Sequence, residues 1–239
     1  MNLTHWLTTA FCAAAVSVGA HAGDITGKIT LKGTPPPSPQ FPNDPNCGKL
    51  WGPTPPKAPL YVVGSAGELA DVFVYIQPAS LAGKSFTPSD KPAILDQSKC
   101  EYIPYVSGAQ VGQKVLVKNS DPVLHNVHAT PTKNKGFNLA QMANGKDIEK
   151  VFDKEEVFIR FKCDVHPWMF AYLGILSHPH FAVSGKDGTF QITGVPAGKY
   201  KLVAFHRKAH GTEEKALVQD IEVTDAGAKA DFVVEVPAS

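Results

Sequence analysis

The most informative segment of the sequence is EEVFIRFKCDVHPWM, residues 155–169. Its first eight residues place Val, Ile and Phe among charged side chains, a pattern typical of a half-buried β-strand. A thiol, an imidazole and a thioether follow at once, at Cys163, His166 and Met169. Because a tight loop after a strand can bring such side chains to one point, the stretch predicts a metal-binding loop at the end of a strand.

A second imidazole lies upstream, at the end of another strand-like segment. QKVLVKN, residues 113–119, is followed by SDPVLHNVH, residues 120–128, which contains His125. Two histidines, one cysteine and a weak axial methionine form the ligand set that suits copper in electron transfer. Zinc is the alternative metal, although a thioether is a poor zinc ligand. The other alternative is an ordinary core in which Cys163 and Met169 bind no metal.

Most of the remaining apolar segments are also short and rich in Val, Ile, Phe and Tyr. Those with the clearest strand pattern are 25–33, 60–64, 70–77, 171–177, 188–195, 199–206, 216–223 and 230–236. Many short strands separated by Gly-containing turns predict an all-β fold built as a β-sandwich. Residues 139–153 are expected to contain one short helix. Residues 34–58 hold nine of the 20 prolines and are expected to form an extended surface loop.

Residues 78–177 resemble the cupredoxins, the small blue copper proteins. The motifs are QKVLVKNSD, then PxxHNVH, then CxxHPxM, and the short C-x-x-H-x-x-M loop is most similar to that of the amicyanin type. The resemblance implies a Greek-key β-sandwich that binds one type 1 copper ion. The ligands that it implies are His125, Cys163, His166 and Met169. It also implies that Asn126 bonds across to the ligand loop and tunes the thiolate.

The flanking segments resemble a different family, the carboxypeptidase regulatory-like domains. The motifs are GDITGKITLKG (23–33), LADVFVYIQ (69–77) and SGKDGTFQITGVPAGKYKLVAF (184–205). This resemblance implies a small transthyretin-like β-sandwich formed by residues 23–77 and 178–239, with the cupredoxin-like residues 78–177 inserted into it. Two sequential domains divided near His178 are the alternative.

The N-terminal residues 1–22 contain no Lys, Arg, Asp or Glu, and residues 6–20 are apolar and small. Residues 20–22, AHA, fit the small-x-small pattern of a signal-peptidase site. We therefore predict a signal peptide over residues 1–22 and a periplasmic or otherwise exported protein that starts at Gly23 and has no membrane span. An uncleaved membrane anchor is the alternative, although the apolar run is short for a span.

Export gives the cysteines a particular meaning, because an odd number in an oxidising compartment leaves one thiol for another role. Cys12 leaves with the signal peptide, so three cysteines remain. Cys47 and Cys100 have no ligand-type neighbour at short spacing, and we predict a disulfide bond between them. Two unpaired thiols are the alternative. Cys163 is then the thiol with another role.

Five further histidines are less informative. His128 lies three residues after His125, an odd offset on a strand, and is expected on the opposite face of that strand. The other four form two pairs at spacings that also occur in metal sites: His178 with His180, and His206 with His210. Solvent-exposed polar side chains are the expected interpretation of these pairs.

The charge balance, 23 Lys and Arg against 22 Asp and Glu, argues against a nucleic-acid-binding protein. Together the patterns predict a one-electron carrier and not an enzyme. Its electron pathway would use the edge of His166, with Pro167 and Trp168 as an apolar rim for brief docking. The resemblance implies a redox partner such as a cytochrome c or a dehydrogenase. The alternatives are a copper carrier or buffer, a copper enzyme acting on a small molecule, and an envelope-associated binding module in which the metal site is secondary.

Overall fold

The computed structural model describes residues 22–237. The predicted signal peptide lies outside the described residues, apart from Ala22, which begins the first strand. Within the described part of the chain, no helix is long and apolar enough to cross a membrane.

Residues 22–237 form mainly short β-strands. The strands are β1 (Ala22–Lys32), β2 (Phe73–Ile76), β3 (Ala93–Ser98), β4 (Glu101–Ile103), β5 (Val106–Gln110), β6 (Lys114–Asn119), β7 (His125–Thr130), β8 (Phe137–Gln141), β9 (Ile148–Val151), β10 (Glu156–Lys162), β11 (Phe170–Leu176), β12 (Phe181–Val183), β13 (Thr189–Pro196), β14 (Gly198–Phe205), β15 (Leu217–Val223), β16 (Ala228–Lys229) and β17 (Phe232–Glu235). The helices α1 (Gly48–Trp51) and α2 (Arg207–His210) are one turn each, and 3₁₀ turns lie at Pro78–Leu81 and Glu213–Lys215. The predicted all-β fold class is confirmed.

The prediction of a short helix within residues 139–153 is wrong. This segment contains the end of β8, which pairs with β7, and the whole of β9, which pairs with β6. Between them the chain turns at Asn144, whose φ is 49°, and the N–H of Gly145 donates to the carbonyl of Met142. Half-buried and exposed residues alternate along β9 with the period of a strand.

Two sheets form a first β-sandwich, which contains the predicted metal-binding loop. One sheet has the strand order β5-β11-β10-β7-β8 and the other the order β4-β3-β6-β9. Their shared apolar core includes Leu95, Val117, Ile159 and Phe161. β7 and β10 are direct neighbours, and His128 lies opposite Lys162 in their register. Because His125 begins β7 and Cys163 follows β10, this pairing brings two predicted ligands to the same end of the sandwich.

The remaining two sheets form a second sandwich from strands near both ends of the described chain. β1 pairs with β13 and runs parallel to β16 and β17, while the other sheet has the order β12-β2-β14-β15. A separate apolar core lies between them and includes Ile25, Ile29, Val74, Ile192, Leu202 and Val234. In chain order the first sandwich therefore lies between β2 and β12. The predicted domain boundaries near residues 78 and 178 stay a prediction.

The two sandwiches contact each other through aromatic side chains. Phe73 of β2 packs against Phe158 of β10, with ring centroids 5.4 Å apart. Two glycines make room for this contact. A Cβ atom on Gly174 would lie 2.6 Å from the Phe73 ring, and one on Gly108 would lie 2.5 Å from the Phe181 ring. Glycine is therefore required where the rings of the second sandwich meet the backbone of the first.

Four histidines that we expected at the surface are buried. His178 and His180 are 0% and 3% exposed, and His206 and His210 are 2% and 9% exposed. Nδ1 of His206 accepts the backbone N–H of Ala209, and Nδ1 of His210 accepts that of His206, so this pair caps the short helix α2. The prediction of exposure is wrong because the packing of distant strands encloses these residues, and no local pattern reveals that packing.

Candidate metal centre

His125, Cys163 and His166 converge at one end of the first sandwich. Nδ1 of His125 lies 2.9 Å from Nδ1 of His166, and Sγ of Cys163 lies 3.7 Å from the same His166 nitrogen. The three ligand atoms all lie within 4.8 Å of one another. Each of the three residues is at most 3% exposed. The structure therefore brings two imidazoles and one thiol, three of the four predicted ligands, to one buried point.

The ligand loop, residues 163–169, follows β10 and is held closed by its own backbone hydrogen bonds. The N–H of Cys163 donates to the carbonyl of Met169 over 3.1 Å, and the N–H of Met169 donates to the carbonyl of His166 over 2.9 Å. The side chain of Met169 is buried in the same apolar core as Cys163. Its role as the fourth ligand stays a prediction.

Asn126 joins the two strand ends that carry the cluster. Its backbone N–H points at Sγ of Cys163 over 3.5 Å, and its Oδ1 accepts the backbone N–H of Asp164 over 2.5 Å. Its Nδ2 donates to Oδ1 of Asn138 over 2.6 Å. Asn126 thus bonds across to the ligand loop. His128 is half-buried outside the cluster, where its Nδ1 lies 2.8 Å from the Asp164 carboxylate.

The buried carboxylate of Asp121 hydrogen-bonds to the ring of His125. No sequence pattern identified this residue. Oδ2 of Asp121 lies 2.9 Å from Nε2 of His125, and the carboxylate also accepts the backbone N–H groups of Lys99 and Cys100 over 2.6 and 2.7 Å. Because the carboxylate faces Nε2, the neutral form of the ring carries its proton on that nitrogen and turns the Nδ1 lone pair toward the cluster. The one available signal was the position of Asp121, four residues before His125 in the same motif.

Hydrogen bonds outweigh burial in setting the charges of the cluster. Burial lowers the pKa of His125, but its hydrogen bonds to Asp121 and Cys163 raise that pKa above its usual value. Burial raises the pKa of the Cys163 thiol, but hydrogen bonds from His125, His166 and the Asn126 N–H lower it to about 6. The thiolate, which is the form that binds metals, is therefore accessible at neutral pH.

Residues 34–58, here called the covering segment, lie over the His166 side of the cluster. Cys47 of this segment forms a disulfide with Cys100, so the predicted bridge is confirmed, and Cys163 is the free cysteine of the described residues. The two bridged sulfur atoms and a ring nitrogen of His166 lie within 4.8 Å of one another. The disulfide therefore fixes the covering segment directly against a predicted ligand.

Aromatic rings complete this cover. Phe41 and Trp51 of the covering segment pack against Trp168, with ring centroids 6.1 and 5.6 Å away. The ring of Trp168 in turn lies 5.2 Å from that of His166. The segment runs without long helices or strands, as expected for a loop, but it buries Phe41 and Cys47 and so acts as part of the core.

The expected electron pathway through the edge of His166 does not open at the surface. His166 is 3% exposed, and Trp168 is half-buried under the covering segment. Of the two predicted rim residues, Pro167 is the exposed one, and Val165 beside the same loop is 51% exposed. The burial of His166 was not predictable from the ligand loop, because the side chains that cover it come from a distant part of the sequence.

The donor chemistry of the cluster fits a copper ion. Two imidazole nitrogens and a thiolate in a buried site are the donors that soft and borderline metals prefer. A buried thioether in the same loop favours copper over zinc. Asp121 leaves the Nδ1 lone pair of His125 available for such an ion.

The fold and the cluster together define a class: an all-β protein with a buried cysteine–histidine cluster at one end of a β-sandwich. Several solved structures are similar to part of this chain. A purple cupredoxin from Nitrosopumilus maritimus is 25% identical, over 35% of this chain and 98% of that chain, with a TM-score of 0.30. A reduced Cu(I) form of amicyanin is 19% identical, over 37% of this chain and 91% of that chain, with a TM-score of 0.32.

A Cu-containing nitrite reductase from Thermus scotoductus is also similar, at 19% identity and a TM-score of 0.33. The match covers 41% of this chain but only 25% of the nitrite reductase. No protein-family model and no curated protein matches the sequence. Nothing in these comparisons supports the predicted resemblance of the flanking segments to carboxypeptidase regulatory-like domains, which stays a prediction.

Proposed function

We propose that this chain is an exported copper protein that carries single electrons. The observation that carries the proposal is the convergence of His125, Cys163 and His166, whose ligand atoms lie within 4.8 Å of one another in a buried site. These residues, with Met169 as a weak fourth ligand, would hold one type 1 copper ion. Bound copper would supply the one-electron Cu(II)/Cu(I) couple.

The chain's own residues hold the donors in place. Asp121 fixes the ring of His125, the Asn126 N–H supports the thiolate of Cys163, and the disulfide holds the cover against His166. Donors that cannot move keep the reorganisation energy of electron transfer low. A fourth ligand from Met169 leaves no open position for a substrate, which favours a carrier over an enzyme.

The compartment and the partner belong to the same proposal. The Cys47–Cys100 disulfide suits an oxidising compartment such as the periplasm. A redox protein such as a cytochrome c or a dehydrogenase would dock briefly at the ligand loop, where Pro167 and Val165 are exposed and Trp168 lies beside them half-buried. Electrons would then enter through the loop and the indole ring of Trp168, since His166 itself is covered.

The visible absorption spectrum of the mature protein loaded with Cu(II) tests the proposal. We expect an intense thiolate-to-copper charge-transfer band at one copper per chain. Cys163→Ser should remove the band completely, and His166→Gln should remove or strongly change it. His128→Gln is the matched control, because His128 lies outside the cluster, and it should keep the band. A weak spectrum that is the same with and without Cys163 would overturn the proposal.

A further inference from the structure

A cavity of about 230 Å³ lies between the two sandwiches, beside the ligand loop. Its lining includes Tyr105, Arg160, Phe170, Tyr172, Arg207 and Lys208. Arg160 and the aromatic residues come from the first sandwich, and the other two cationic residues come from α2. Cavities for drug-sized ligands begin at roughly 300 Å³, so this one suits a ligand with a single ring.

The cavity has an unbalanced positive charge. Arg160 and Arg207 are the two arginines of the 239-residue chain, and both line this one cavity together with Lys208. No ion pair to Asp or Glu involves any of the three within residues 22–237. Asp71 lies near Tyr105, and burial raises the pKa of its carboxyl to about 6. The carboxyl is therefore still mostly ionised at neutral pH and offsets one of the three positive charges. Arg160 and Lys208 are exposed, so a small anion reaches them directly from water.

Aromatic rings hold the two guanidinium groups in place of acidic partners. Arg160 lies 5.4 Å from the ring centroid of Phe170, and Arg207 lies 5.5 Å from that of Tyr172. Tyr105 packs edge-on against both rings, with centroids 5.6 and 5.7 Å away. Cation–π contacts of this kind orient a guanidinium without neutralising it. Nη1 of Arg207 donates to the backbone carbonyl of Gly211. Neither guanidinium has a carboxylate partner within residues 22–237.

We propose that this cavity binds a small aromatic carboxylate. The planar fork of an arginine matches a carboxylate with two parallel hydrogen bonds, and Lys208 adds a point charge. Aromatic walls favour a flat ring on the other end of the same ligand. None of the residues that line the cavity is a predicted copper ligand, so the inference stands apart from the proposed electron carrier. Phe170 nevertheless follows Met169 directly, which places the bound anion beside the ligand loop.

The NMR signals of the two arginine side chains report whether a ligand binds in the cavity. In protein labelled with ¹⁵N-arginine, the side-chain Nε–Hε spectrum contains one resonance from Arg160 and one from Arg207. On titration of the full mature protein with benzoate, we expect both resonances to shift and to saturate with one common Kd. Benzyl alcohol has the ring without the charge, and inorganic phosphate has charge without the ring. Each should bind at least about tenfold more weakly than benzoate, because it lacks one of the two sets of contacts.

Three variants test whether benzoate binding depends on the residues that line the cavity. Arg207→Lys keeps the charge but loses the fork, and the Arg160 resonance should then report a Kd about tenfold higher for benzoate. Lys84→Gln, an exposed lysine that does not line the cavity, is the charge control and should leave the Kd unchanged. Cys163→Ser should also bind benzoate as the wild type does, which distinguishes this inference from the copper proposal.

Several results would overturn the assignment. Shifts that rise linearly without saturation would show that no site exists. Equal affinity for phosphate or for benzyl alcohol would show that the cavity does not select an aromatic carboxylate. An unchanged Kd in Arg207→Lys would remove the arginine fork from recognition.

Discussion

The first sandwich buries the histidine pair His125 and His166, and the second buries the pair His178 and His180. In the first pair, the two Nδ1 atoms lie 2.9 Å apart, and Asp121 holds the far side of the His125 ring. In the second pair, the rings are stacked with centroids 5.9 Å apart. Three of the four ring nitrogens of that pair have no hydrogen-bond partner among the described residues.

The pKa shifts of the two pairs also differ, because hydrogen bonds to Asp121 and Cys163 raise the pKa of His125, whereas burial dominates at His178. Burial, together with the charge of the neighbouring His180, lowers the pKa of His178 to about 4. Burial also acts to lower the pKa of His125, but Asp121 and Cys163 reverse the direction of the shift. The two pairs therefore differ in what surrounds their imidazoles. A carboxylate and a thiol lie next to the first pair and can compensate positive charge there, whereas three of the four ring nitrogens of the second pair have no hydrogen-bond partner among the described residues.

The largest expected effect is the loss of copper binding in one pair only. His125→Gln should weaken Cu(II) binding by more than the 10–100-fold that loss of a supporting partner costs, because it removes a ligand. His178→Gln should leave the affinity unchanged. Titration of each variant with Cu(II), followed by its visible absorption, measures both. An equal loss of Cu(II) affinity in the two variants would show that the two histidine pairs do not differ in metal binding.

Among the described residues, the disulfide lies beside the first histidine pair, against His166. The double variant Cys47→Ala/Cys100→Ala should lower the free energy of unfolding by about 4 kcal/mol, because the bridge closes a loop with a sequence separation of 53. Urea unfolding checks the stability. Hydrogen–deuterium exchange at the imidazole C2 position should become faster in His166 and stay the same in His178. Unchanged exchange in His166 would show that the bridge does not hold the cover in place.

Acid should destabilise the fold through the second sandwich. Burial, followed by the charge of His210, lowers the pKa of His206 to about 4, as in His178, whereas both titrate near 6.5 when unfolded. Because the unfolded chain takes up these protons first, stability is complete above pH 6.5 and falls as the pH drops toward 4. Each residue should contribute roughly 3 kcal/mol to this loss. Urea unfolding from pH 7 to pH 4 measures it, and the slope should be smaller in His178→Gln. An identical slope in the variant contradicts the assignment.

The smallest expected effect belongs to the carboxylate behind His125. Asp121→Asn keeps the shape but weakens the hold on the ring, and should lower the Cu(II) affinity by about 10–100-fold while the charge-transfer band persists. Asp187→Asn, a carboxylate in a turn of the second sandwich, is the matched control. Competition with a chelator measures both affinities. The same affinity in Asp121→Asn and the wild type would reduce Asp121 to a purely structural partner of Lys99 and Cys100.

Local patterns were sufficient where a feature is made by neighbouring residues. The C-x-x-H-x-x-M spacing predicts that Cys163, His166 and Met169 share one loop, and hydrogen bonds within the loop close it. The Cys47–Cys100 bridge joins distant residues instead, and its prediction depended on the number of cysteines and the lack of neighbouring ligands, not on a local pattern. The helix expected within residues 139–153 failed because the pairing of β8 and β9 with other strands overrode a weak local preference.

Spacing and period along the chain are enough to predict the donor types, the strand ends that carry them and the all-β fold class. Tertiary packing, in contrast, places Asp121 against His125, the covering segment over His166 and both arginines around one cavity. The same packing buries His178 and His180 and leaves three of their four ring nitrogens without a hydrogen-bond partner among the described residues. These outcomes depend on how distant segments pack, and a contact between distant segments leaves no local pattern in the sequence.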